Sequence, residues 1–94
     1  MLVYESQNAN KETFLNAADR IQGLDATPDK QELLLLYGLY KQAIHGNNTT
    51  PKPFIVDIKA NYKWNAWSSQ RKKPKRVAEQ EYIELVDTLM RKYQ

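Results

Sequence analysis

The sequence predicts an all-α domain of four helices, and three observations lead to this. Apolar residues recur at intervals of three and four along four segments of the chain, which is the period of an α-helix. Proline, glycine and short polar side chains stand where these segments begin and end. The 94 residues include no cysteine, so hydrophobic seams between helices have to hold one domain together without disulfides.

The first ten residues are polar with little periodicity, and we interpret 1–10 as a flexible terminus ahead of a domain covering 11–94. A first helix is predicted at 11–24 because its apolar residues step by three and four. Those residues are Phe14, Ala17, Ala18, Ile21 and Leu24.

The second helix is predicted at 28–45. Thr27 suits the N-cap and Pro28 the first helical position, and acidic residues in the next turn favour the positive end of the helix dipole. Gly46 is placed to end the helix in a left-handed conformation.

Apolar residues cover nearly the whole circumference of this helix between Leu33 and Gly46, so one face needs a partner beyond the core. At spacings of three and four, Tyr37, Tyr40, Lys41 and Ile44 share one side. Two phenols and an ammonium therefore project together from a mostly apolar element.

Residues 47–56 contain two prolines, two asparagines and two threonines, and this composition indicates a loop that crosses the domain. Asp57 can cap a third helix at 58–70. Pro74 restarts the chain for a fourth helix at 74–92, which has a clear apolar face.

The charge distribution predicts an anionic ligand. The formal net charge is only +3, but seven of the fourteen Lys and Arg residues fall between Lys59 and Arg76, and Ile58–Ala78 contains no acid. The chain shows no signal peptide and no apolar run of membrane-spanning length, so a cytoplasmic, monomeric protein is expected.

Catalysis finds little support in the sequence. His45 is the sole histidine, stands at a predicted helix end, and is interpreted as a residue that interacts with the helix dipole. Because no metal-ligand spacing and no glycine-rich phosphate loop is present, we expect no catalytic residue, no metal and no cofactor.

Two motifs carry a family resemblance. Tyr37-Gly-Leu-Tyr-Lys-Gln-Ala43 and Lys63-Trp-Asn-Ala-Trp67 resemble the acyl-CoA-binding protein family, and the likeness runs from Phe14 to Tyr93. It implies a four-helix, up-down-down-up fold with a bowl between the helices, in which a long-chain acyl-CoA lies with its acyl chain in an apolar groove.

The resemblance also implies roles for single residues. Tyr37, Lys41 and Lys63 would meet the ribose 3′-phosphate, and Tyr40 and Tyr82 would surround the adenine and ribose. The remaining expected contacts are Lys59 as a further basic residue at the rim and, at the periphery, Ala18, Gln22, Gly38 and Leu39.

The chain departs from the family pattern at three places. Gln22 and Thr27 stand where the family has basic residues, which would weaken two peripheral phosphate contacts. Before the last helix, Lys72-Lys73-Pro74 replaces a glycine and a hydroxyl N-cap. The resulting basic turn, Arg71–Arg76, is interpreted as a solvated turn, with a nuclear localisation signal or a transient contact with an anionic membrane as alternatives.

Our prediction is a non-catalytic carrier or buffer of long-chain acyl-CoA that passes its ligand to acyl-CoA-using enzymes. Two alternatives stay open. The chain could be a ligand-sensing domain of a larger membrane or peroxisomal protein, which would attach it to an organelle. The less favoured alternative is a basic helical module that binds nucleic acid, because that module would spread its cations along one exposed helix.

Overall fold

A computed structural model describes residues 13–93 of the chain. Within them the chain forms four α-helices and no strand, which confirms the all-α prediction: α1 is helical over 13–22, and the others are α2 at Lys30–His45, α3 at Ile58–Ser68 and α4 at Lys75–Lys92. The predicted terminus at 1–10 and the predicted start of the first helix lie outside the described residues.

Helices α1 and α4 run in the same direction. The ring of Phe14, in the first turn of α1, meets the ring of Tyr82, in the middle of α4, edge to face with centroids 5.2 Å apart. Further along both helices, Arg20 Nη2 donates a hydrogen bond to Asp87 Oδ1 at 3.1 Å. The contacts thus advance along both helices in the same direction, as in a parallel pair.

Helices α2 and α3 are also parallel to each other. Lys30 Nζ, at the start of α2, lies 3.4 Å from the centroid of the Tyr62 ring in the first half of α3. At the other end, Trp67 Nε1 donates to the carbonyl oxygen of Gly46 at 2.8 Å.

Helix α2 runs antiparallel to α4. Lys92 Nζ at the end of α4 bonds Glu32 Oε2 near the start of α2 at 2.6 Å. Gln42 Nε2, late in α2, donates to the carbonyl oxygen of Lys73, just before α4, at 2.8 Å. Together with the two parallel pairs, this antiparallel pair gives the predicted up-down-down-up arrangement.

The start of α2 corrects one detail of the sequence prediction. Asp29, not Thr27, is the N-cap, and Pro28 is buried one residue before it. Asp29 Oδ1 accepts from the Glu32 amide while Glu32 Oε1 accepts from the Asp29 amide, both at 2.9 Å. These two reciprocal bonds give partners to two backbone amides, whereas a Thr27 side chain would accept from only one. The helix therefore begins two residues later than predicted.

The other described helix ends lie within two residues of the predictions, since α1 ends at 22 where the sequence predicts 24 and α4 begins at Lys75 where it predicts 74. Asp57 caps α3 as predicted, since its side chain accepts from the Ala60 amide at 3.1 Å. Gly46 ends α2 with φ 78°, although ψ −152° makes it an extended glycine conformation and not the left-handed helical one. Helix α3 stops at Ser68, short of the predicted 70, because the amides of Gln70 and Arg71 bond carbonyls three residues back and tighten the chain into a turn.

The core lies between α1, α2 and α4, and α3 packs outside it, with no buried residue of its own. Helix α3 approaches α2 closely at Gly38, where an added Cβ would stand 2.3 Å from the carbonyl oxygen of Ala66. The ten apolar residues that form the core are Phe14, Ala17, Leu36, Leu39, Ala43, Ala78, Tyr82, Ile83, Val86 and Leu89.

Candidate binding site

A groove of about 460 Å³ opens between the end of α1, the start of α2 and the middle of α4. Three tyrosines form one wall of this first groove, and small or aliphatic side chains form the other. Its lining consists of Ala18, Ile21, Gln22, Pro28, Leu33, Leu36, Tyr37, Tyr40 and Tyr82.

Stacked aromatic rings make the wall of the first groove rigid. Phe14 stacks on Tyr40 with ring centroids 5.7 Å apart, and Tyr40 meets Tyr82 at 5.8 Å. Tyr82 is only 5% exposed, and this burial, with a smaller effect of Tyr40, raises the pKa of its phenol. The Tyr82 hydroxyl therefore stays protonated at neutral pH and can donate a hydrogen bond.

A second groove, of about 450 Å³, lies between α2 and α3. Its surface is almost entirely apolar even though three lysines border it, because lysine stems cover apolar surface while the ammonium groups stay in water. The lining residues are Lys30, Leu33, Leu34, Tyr37, Lys59, Tyr62 and Lys63.

Leu33 and Tyr37 line both grooves and form the ridge between them. These residues are one helical turn apart on α2, which explains why this helix is apolar around so much of its circumference. A ligand with two chemically different parts could occupy both grooves by crossing this ridge.

Two ammonium groups lie over aromatic rings between α2 and α3, that of Lys63 at the ridge and that of Lys41 one helical turn further along α2. Lys63 Nζ of α3 lies 5.6 Å from the Tyr37 ring centroid, and Lys41 Nζ of α2 lies 4.8 Å from that of Trp67. None of the ion pairs among residues 13–93 includes either lysine. Both cations are therefore free to meet an anion from outside the chain.

The structure brings together eight of the ten residues expected at the site. Five line the first groove, one of these five and two others line the second, and Lys41 stands one turn beyond Tyr37 without lining either. Gly38 and Leu39 line neither groove: Gly38 packs against Ala66, and Leu39 is 2% exposed in the core.

Two residues of the second groove, Lys30 and Tyr62, were not predicted as site residues from the sequence. They form the far end of the second groove, where the Lys30 ammonium covers the Tyr62 ring. The aromatic and basic residue types were the only available signal, because pairing a residue of α2 with one of α3 requires knowing that these helices are parallel.

The described residues offer little for catalysis. His45 lies in the last turn of α2, where its ring centroid is 5.9 Å from that of Trp67. No group of three or more His, Cys, Asp or Glu that could hold a metal occurs between 13 and 93. Over the same residues, no helix has the length and apolarity needed to cross a bilayer.

The family model described as Acyl CoA binding protein matches residues 11–86. An acyl-CoA-binding protein homolog of Drosophila melanogaster is 44% identical over 82 residues, which cover 87% of this chain and 95% of that protein. Rat enoyl-CoA delta isomerase 2 is 38% identical over 84 residues, but these make up only 22% of its length.

The crystal structure of Oryza sativa Acyl-CoA-Binding Protein 2 superposes with a TM-score of 0.88 at 38% identity, covering 93% of this chain and 95% of that one. The family match, the similarity over nearly the whole length and the shared four-helix arrangement agree. The chain therefore belongs to the acyl-CoA-binding protein family.

Proposed function

We propose that this chain binds long-chain acyl-CoA esters and carries them without a catalytic step. One observation carries the proposal: an aromatic groove and an apolar groove meet at the Leu33 and Tyr37 ridge, beside two ammonium groups without carboxylate partners. An acyl-CoA has three matching parts, namely a purine ring, an alkyl chain and a phosphorylated ribose.

The second groove would take the acyl chain, because its lining is the more apolar. Removing a palmitoyl chain from water at about 0.8 kcal/mol per methylene is worth roughly 12 kcal/mol before the cost of ordering it. Most of the affinity would therefore come from contacts with Leu33, Leu34 and the lysine stems.

The first groove would take the adenine and ribose against Tyr40 and Tyr82. Lys41 and Lys63 would then meet the ribose 3′-phosphate together with the Tyr37 hydroxyl. Charge-assisted hydrogen bonds of this kind contribute about 1.5–3 kcal/mol each. Since a free fatty acid has no nucleotide, these contacts would decide which lipid is selected.

A site without reactive groups can bind and release its ligand unchanged, as a carrier does. We propose that the chain acts as a cytoplasmic monomer that delivers acyl-CoA to acyl-CoA-using enzymes. The rat isomerase favours one alternative, because a similar segment there occupies a fifth of a longer enzyme. In such a protein the segment would supply or sense acyl-CoA for the remainder.

Competition in native mass spectrometry tests the proposal. The protein is mixed with equimolar palmitoyl-CoA, palmitate and free CoA, and the mass of the dominant complex is read. We expect palmitoyl-CoA to displace both palmitate and free CoA. Equal occupancy by palmitate would refute selection by the nucleotide and reduce the chain to a general lipid binder.

A further inference from the structure

Three consecutive large apolar residues project into solvent from the segment before α3. Phe54, Ile55 and Val56 are 86%, 91% and 84% exposed, and Ile58 at the start of the helix is 66% exposed. None of these residues lines either groove or belongs to the core. We call Phe54–Val56 the apolar tip.

Two of the three backbone carbonyl groups of the apolar tip are hydrogen-bonded within the chain. The carbonyl oxygen of Phe54 accepts from the Asp57 amide at 3.0 Å and from Asn61 Nδ2 at 2.8 Å, and that of Val56 accepts from the Ile58 amide at 3.1 Å. These two carbonyl groups can leave water without losing a hydrogen bond, which lowers the cost of inserting the segment as far as the headgroup region.

Cations flank the apolar tip on both sides. Lys52 precedes it, with Nζ 5.9 Å from the Trp64 ring centroid, and Lys59 follows it on the rim of the second groove. Asp57, directly after the tip, is an exposed carboxylate that accepts a hydrogen bond from the Ala60 amide as the cap of α3, so two cations and one anion flank the tip in sequence. The tip therefore presents apolar side chains between exposed positive charges.

We propose that the apolar tip inserts into the headgroup region of a bilayer that contains anionic phospholipid. The segment is almost fully exposed and only three residues long, so it can enter a fluid interface but offers little area for filling a protein groove. The flanking lysines would meet the lipid phosphates as the apolar side chains enter. This surface contact goes beyond the proposed carrier function and requires no ligand in the grooves.

The apolar tip lies close to the second groove in the chain, so its contact with a membrane would bring that groove to the lipid surface. Lys59 lies three residues after Val56 and lines the second groove, so a docked tip would hold that groove beside the lipid surface. The basic turn Arg71–Arg76 lies at the opposite end of α3, about 15 Å away along the helix axis. The two cationic regions can therefore be tested separately.

Co-sedimentation with vesicles tests the proposal on the ligand-free protein. Vesicles of phosphatidylcholine and phosphatidylserine at 7:3 are compared with pure phosphatidylcholine at physiological salt. We expect binding to the anionic vesicles, and a decrease of about tenfold or more in the double variant Phe54→Asn/Ile55→Asn, which loses two side chains that would be partly buried in lipid.

The matched control is Arg71→Gln/Lys72→Gln, which removes two charges from the basic turn and should retain most of the binding. Loss of binding in this control with retention in the tip variant would assign the contact to the basic turn and overturn the proposal. Absence of wild-type binding would overturn it too, as would self-association that depends on the tip. Palmitoyl-CoA affinity, measured in parallel, should be unchanged in the tip variant, so the two proposals can fail independently.

Discussion

Replacing Lys41 by alanine removes one of the two ammonium groups beside the ridge. In the protein without ligand, Lys41 Nζ lies 4.8 Å from the Trp67 ring centroid, and its side chain is half-buried. The substitution leaves Tyr37 and the lining of both grooves intact. Any change in affinity should therefore report the lost charge and not a change in the shape of the grooves.

The expected magnitude follows from the contact that Lys41 would make. One charge-assisted hydrogen bond to a phosphate contributes about 1.5–3 kcal/mol, which corresponds to roughly tenfold to a hundredfold weaker binding of palmitoyl-CoA. Loss of the contact with Trp67 would lower the free energy of unfolding by about 0.5–1 kcal/mol. The fold should survive this loss.

Titration calorimetry measures the affinity, with palmitoyl-CoA and its 3′-dephospho analogue as paired ligands. Lys41→Ala should weaken binding of the first and hardly affect the second. Lys52→Ala is a matched control, because its ammonium also lies near a tryptophan ring, at 5.9 Å, but outside both grooves. Equal losses for the two ligands, or no loss for either, would refute the assignment of Lys41 to the 3′-phosphate.

Three further predictions concern stability. Hydrogen bonds from Lys92, Tyr93 and the Asp29 amide lower the pKa of Glu32 from 4.5 to about 2, so the ionised carboxylate stabilises the fold fully above pH 4.5 and this contribution is lost as the pH falls towards 2. The unfolding free energy should therefore depend less on pH over this range in Glu32→Gln than in the wild type, and an equal pH dependence in the two proteins would contradict the prediction. Gly38→Ala should lower the unfolding free energy by about 1–3 kcal/mol in denaturant titrations, because its Cβ would meet the Ala66 carbonyl at 2.3 Å; unchanged stability would show that α3 yields freely. Lys72 has φ 74°, so Lys72→Gly should raise the melting temperature by removing strain of about 1 kcal/mol, whereas Lys72→Ala should not.

Local chemistry made several features predictable from the sequence. The four helices follow from apolar spacing, and Asp57 and Gly46 mark helix ends because capping depends on a few neighbouring atoms. The same locality explains the error at the start of α2. Thr27 and Asp29 both suit an N-cap, and the reciprocal bonds with Glu32 decided between them.

Contacts between helices were beyond the sequence alone. The apolar circumference of α2 predicted that one face of this helix contacts something other than the core, but it did not predict which leucine lies on that face. Only the packed structure places Leu36 in the core and Leu33 on the ridge. The close approach of α3 at Gly38 sets the spacing of these helices, and the second groove lies between them.

The sequence by itself determined the four helices, the position of their described ends to within two residues and, through two motifs, the family. It also predicted ten site residues, of which seven line at least one of the two grooves. The tertiary structure decided that two grooves share a ridge, that Lys30 covers Tyr62, and that Phe54–Val56 remains exposed. The physical reason is that periodicity and capping depend on neighbours within one helical turn. Grooves and exposed patches depend on how far apart separate helices come to rest.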